Sequence, residues 1–169
     1  MIQLENRLIE VFGTIPNIQD MDGKSLSSKY DFGTEADCIR FISVNKKAKD
    51  KYPLNWLETP INLKGKGPLF NTRLKFILAT PTITDLENRT RITSSFDYVL
   101  DPLYNYVITA LQQCGFISFK NQENNSFARH YNYCTVEDNE SGFPDIWDAI
   151  VFSRDVQIDS SCNTRTINY

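Results

Sequence analysis

His130 and Cys134 stand four residues apart, a spacing that sets two zinc ligands on one face of a helix. A structural zinc site needs four ligands. The other cysteines, Cys38, Cys114 and Cys162, are widely scattered, with no Cys-x-x-Cys pair among them. The ordinary reading of these side chains is burial in a core. Pairing Cys134 or Cys114 with His130 would make a thiol nucleophile and its base, but no Gly-x-Ser-x-Gly elbow accompanies it. With one His in the chain, His-pair metal sites and His relays are severely limited. Asp145 and Asp148 would point to opposite faces of a strand and form no acid–base dyad. Asp155 and Asp159 would share a face roughly 13 Å apart, too far to share a proton.

Two motifs imitate ion-binding loops and fail. Gly23-Lys24-Ser25 looks like the end of a phosphate-binding loop, but Ile18 stands where the first glycine is required. Asp20-x-Asp22-Gly23 resembles the middle of a calcium loop, but Ile18 takes its first position and Lys29 its twelfth. The clearest basic clusters are Lys64 with Lys66 on a glycine-broken loop and Arg89 with Arg91 in a polar link. They suit phosphate or acidic protein surfaces, and the acidic total favours the latter.

The elements that would position these groups follow from periodicity. Ile2, Leu4, Leu8, Ile9, Val11 and Phe12 predict an N-terminal helix that Gly13 and Pro16 end. Residues 17–34 read as a polar loop excursion. Cys38–Val44 reads as a strand, followed by a basic turn and a second strand at Tyr52–Glu58 in which Pro53 marks a start or an edge. Residues 61–72 form a loop arm, and Leu74–Pro81 alternates as a third strand. Leu103, Val107, Leu111 and Cys114 predict a helix over 102–114, with Asp101 as its cap and Pro102 in its first turn. Strands then follow at Phe116–Phe119, at Phe127–Val136 and, strongest, at Ile146–Ile158. The first part of the last strand is apolar on both faces, as in a central strand. Residues 160–169 read as a polar, frayed tail. This order predicts a single α+β domain over 1–169, an antiparallel sheet with helices packed on one face and extended loops.

The chain has 169 residues, 41% of them hydrophobic, enough for a core and against wholesale disorder. A net charge of −3 argues against a protein that wraps nucleic acid through a basic face. No apolar run reaches the length of a membrane span. The first residues show no basic stretch leading an apolar one, so the expected setting is cytosolic, and the sequons at Asn88, Asn124 and Asn139 carry no meaning there.

Lys51-Tyr52-Pro53-Leu54-Asn55-Trp56-Leu57, Phe96-Asp97-Tyr98-Val99-Leu100-Asp101-Pro102-Leu103 and the closing Ile146-Trp147-Asp148-Ala149-Ile150 strand resemble the tail terminators and head–tail connectors of tailed phages. The short Tyr-Pro and Asp-Pro-Leu elements look like those of neck proteins from crAss-like phages. The resemblance implies a structural, non-enzymatic virion protein without catalytic residues, cofactor or metal, assembled in the host cytoplasm. It implies a homo-oligomeric ring of six or twelve copies between portal or adjacent connector ring and tail, through which DNA passes without sequence-specific contact. A cyclic ring needs two unlike surfaces on each subunit. The 8 Tyr, 11 Phe and 2 Trp exceed what a core of this size usually consumes and suit such surfaces. Loop and edge positions are the expected interface: Tyr52, Trp56, Lys64 and Lys66, then Arg89 and Arg91. Asp155, Asp159 and Tyr169 extend it along the last strand and tail. The competing reading is a small soluble enzyme or metal- or ligand-binding domain built on His130 and Cys134. A regulatory protein docking through its C-terminal strand is a third.

Overall fold

The computed structural model describes residues 4–45, 47–83, 85–120, 125–133 and 145–169. Two 13-residue strands, β6 (Leu69–Pro81) and β9 (Trp147–Asp159), pair antiparallel along their whole length and form the spine of a seven-stranded sheet. Their alternation is what the sequence predicts. Leu74, Phe76 and Leu78 on β6 face Ile150 and Phe152 on β9, while Ile77, Ala79, Trp147 and Ala149 face the other way. On the outer side of β6 lie β4 (Leu54–Glu58) and β5 (Lys64–Lys66), both antiparallel to it. On the outer side of β9 lie β7 (Ile117–Phe119) and β8 (Ser126–Tyr133). The expected continuation of β8 to Val136 lies outside the described residues.

The first face of the sheet is covered by α1 (Leu4–Phe12) and α4 (Asp101–Gln113). Leu4, Leu8, Val11 and Phe12 meet Leu103, Val107 and Leu111 over Phe76 and Phe152, whose rings stack at 5.2 Å. Fully burying one such side chain is worth about 1.5–3 kcal/mol, so this layer is the main apolar driving force. Upstream of α4 runs α3 (Asn88–Arg91) and then a nine-residue π-helical segment, Ile92–Leu100. The expected cap at Asp101 is absent. Asp101 is itself helical, its N–H donates to the Phe96 carbonyl five residues back, and its carboxylate pairs with Arg129. Pro102 has no N–H to continue the ordinary ladder, and the wider register lies immediately before it.

Five further expectations are corrected. Cys38–Val44 belongs to a helix, α2 (Glu35–Val44), not to a strand. Thr34 and Asp37 form a reciprocal capping box at its start, and Cys38 and Ile42, four apart, bury one face against Leu54, Trp56 and Ile77. This helix lies on the second face of the sheet, so the α+β class holds with helices on both faces. The 17–34 excursion contains a small hairpin, β1 (Ile18–Gln19) with β2 (Ser25–Leu26), and then β3 (Lys29–Gly33). The latter pairs in parallel with β4 and extends the sheet. The 61–72 arm is β5 and the start of β6, joined by a tight hairpin. The tail is docked rather than frayed. The Arg165 N–H donates to the Cys114 carbonyl, the Asn168 N–H to Gln113, and the Tyr169 ring meets Tyr106 edge-on at 5.4 Å.

The capping box gives a pH-dependent prediction. The Thr34 hydroxyl and N–H both donate to Asp37, at 2.8 and 3.0 Å, and hold its carboxyl below the usual range, with Arg40 adding to the effect. A carboxyl lowered by folding stabilises above its unfolded value of about 3.9 and loses that contribution as pH falls through the folded value. Thr34→Ala is expected to lose about 1 kcal/mol at neutral pH in urea unfolding. The gap from wild type should narrow in acid below about pH 4.

Candidate interaction surfaces

Tyr52, Trp56 and Arg91 were expected at an interface, but all three are buried within the subunit, at 5%, 1% and 1% exposure. Tyr52 belongs to a polar network at the edge of the second core. Its hydroxyl donates to Asp145 at 2.6 Å and accepts from the Trp147 indole N–H. Lys51 completes the network, its ammonium 2.6 Å from Asp145 and 3.3 Å from the Ile42 carbonyl at the end of α2. Burial, then the Asp145 hydrogen bond, pushes the Tyr52 phenol well above its ordinary range, so it stays a donor. Trp56 donates its indole N–H to the Gly33 carbonyl and pins β3 to β4. Arg91 reaches the fully buried Asp148, Nη1 to Oδ1 3.8 Å, and donates to the Ile83 carbonyl at 2.7 Å. Asp145 and Asp148 thus serve two separate cation sites.

The remaining expected positions lie at the surface. Arg89 is exposed on α3. Asp155 accepts two bonds from Arg73, at 2.7 and 3.2 Å, one rung of a charged ladder that also holds Lys75 on Glu58. Asp159 accepts from Ser161 and the Cys162 thiol, and these donors lower its pKa. Tyr169 is 42% exposed, and its hydroxyl lies 2.9 Å from that of Thr14. His130 sits on strand β8, not on a helix, with its ring 5.2 Å from Tyr133. Cys134 lies outside the described residues. Among the described residues no three His, Cys, Asp or Glu side chains gather as a metal site.

Lys64 and Lys66 are exposed on β5, and their position is distinctive. Lys66 pairs with Leu69 across a two-residue turn, Gly67-Pro68, in which Gly67 takes φ +71°, the conformation a tight hairpin asks of glycine. A side chain at Gly67 would meet nothing within 4 Å, so the tip projects into open space. The hairpin is held at this tip, where the Ser160 N–H and hydroxyl both donate to the Pro68 carbonyl. Leu69, 43% exposed, adds an apolar group beside the two lysines.

A second surface was not foreseen from sequence. The outer edge of β3 pairs with no strand among the described residues, and beside it α2 and the 59–61 turn enclose an open groove of about 820 Å³. Phe32, Phe41, Val44 and Ile61 give it an apolar floor, with Val44 70% exposed. Among the described residues its walls carry Glu5, Asp31 and Asp37 against the cation Arg40. Neighbouring Tyr30 registers that field: after burial, Glu5 and then Asp31 raise its pKa further. A third opening, about 470 Å³, lies between the β1–β2 hairpin, the end of β6 and the π-helical segment, with Ser94, Ser95 and Val99 on one wall.

No protein-family model matches this chain, and no curated protein matches it.

Proposed function

We propose that this protein is a structural subunit of a homo-oligomeric ring in a phage neck, joining portal to tail, and that it acts by assembly without catalysing a reaction. The observation that carries the reading is the pair of unlike surfaces on one rigid sheet. A projecting basic hairpin stands at the Leu69 end and an acidic apolar groove beside β3. Head-to-tail rings require two different complementary patches on every subunit, whereas a two-fold dimer needs only one. Exposed Phe127 and Tyr131 on β8 supply further contact area of the kind interfaces favour. The net charge of −3 per subunit suits a conduit wall that does not hold DNA phosphates. Copy number, six or twelve, follows from the angle between adjacent subunits.

Sedimentation velocity and light scattering on the purified chain, alone and with the portal of the same virion, test this. The expected result is one closed oligomer, formed alone or on the portal. A strict monomer that binds neither portal nor tail components overturns it.

A further inference from the structure

We propose that the β5–β6 hairpin of one copy docks into the groove beside β3 and α2 of the next, with Lys64 and Lys66 against Glu5 and Asp31 and Leu69 on the apolar floor. This rests on the ring reading and names the contact that would build it.

Charge complementarity selects a second copy of this chain as the occupant. Among the described residues the groove carries three carboxylates and one guanidinium, a net −2, and Arg40 is already engaged with Asp37 at 3.1 Å. That leaves Glu5 and Asp31 as the acids for an incoming cation. The hairpin carries two lysines, and its glycines at 65 and 67 keep it slim. A Cβ on Gly65 would fall 2.2 Å from the Leu69 carbonyl oxygen, so the two strands approach as closely as glycine permits. Ser160 fixes the tip before docking, which reduces the ordering cost of binding.

The hairpin does not reach its own groove. Lys64 pairs with Asn71 and Lys66 with Leu69, five and seven positions along β6 from the Phe76 partner of Leu57, roughly 17 and 23 Å away, and neither lysine lines the groove. β5 turns back along β6, and the Gly67-Pro68 tip is placed to meet the groove of another copy. Every copy then offers one tip and one groove, the head-to-tail arrangement that closes into a ring.

Charge reversal and its rescue test the contact. Lys64→Glu with Lys66→Glu, and separately Glu5→Lys with Asp31→Lys, are measured by sedimentation velocity alone and on the portal. Circular dichroism confirms that each variant is folded. Each pair is expected to weaken self-association about tenfold or more, and the four changes together to restore it to within about threefold. The milder Lys64→Gln with Lys66→Gln variant should fall between, and wild-type association should weaken with added salt. Oligomers that persist unchanged in both reversed variants overturn the hairpin–groove contact while leaving the ring. Weakening by both pairs without rescue by the combination also overturns it. A wild-type chain that never associates, on the portal or off it, defeats both readings.

Discussion

Arg91→Ala is expected to destabilise the isolated subunit by about 3–5 kcal/mol, because it strands the Asp148 carboxylate in the sheet interior with its cation removed. Asp148 has no exposed surface, and its Oδ1 faces the Arg91 guanidinium at 3.8 Å and the Asn132 N–H at 3.3 Å. Breaking a buried pair leaves a charge that water does not reach and that the single Asn132 N–H does not balance. Replacing both members with apolar groups avoids that cost, so Arg91→Met with Asp148→Leu should recover a large part of the loss. Arg91 also holds the Ile83 carbonyl. The single variant therefore frees the chain between β6 and α3 as well. Urea and thermal unfolding measure both variants. A loss within about 1 kcal/mol for Arg91→Ala would show that the pair does not hold this end of the sheet.

Trp56→Ala separates the core from the interface. Its side chain is 1% exposed, packs beside Phe41 with ring centroids 6.0 Å apart, and holds the Gly33 carbonyl. Truncation of a buried Trp costs about 3–5 kcal/mol, from lost transfer energy and the cavity left behind. For a chain of this length that lowers the melting temperature of the monomer by roughly 10 °C. A residue acting only between subunits would weaken assembly and leave the monomer's melting unchanged. Differential scanning fluorimetry under dissociating conditions distinguishes the two outcomes.

The parts of this fold legible in the sequence are those whose signal is local and periodic. The alternation of Leu74, Phe76 and Leu78 marks β6, the apolar run from Trp147 marks β9 as central, and the stripe from Leu103 to Leu111 marks α4. The misread segments each have a physical reason. Cys38–Val44 is rich in β-branched and aromatic residues and reads as strand on propensity. The overriding signal was the Thr34-x-x-Asp37 box just ahead of it, with Cys38 and Ile42 one helical turn apart. Lys29–Gly33 is too polar to read as strand alone. It becomes one by pairing with β4, a distant segment, and by the bond from Trp56 to Gly33.

The proposed interface was legible only in part, for the same reason. Lys64 and Lys66 stand out because glycines flank them in sequence. Glu5, Asp31 and Asp37 come from α1, β3 and α2, and only the topology gathers them around one groove. Arg91 and Tyr52 looked like surface residues because charged and phenolic groups usually are. Their burial depends on Asp148 and Asp145, partners contributed by the far end of the chain. Type and spacing reveal what a side chain can do, while its exposure is decided by which segments pair.

Electron-microscopic class averages of the purified chain with the portal of the same virion address the central claim most directly. Closed rings of six or twelve copies, coaxial with the portal, are the predicted result. Isolated subunits beside bare portals would contradict it.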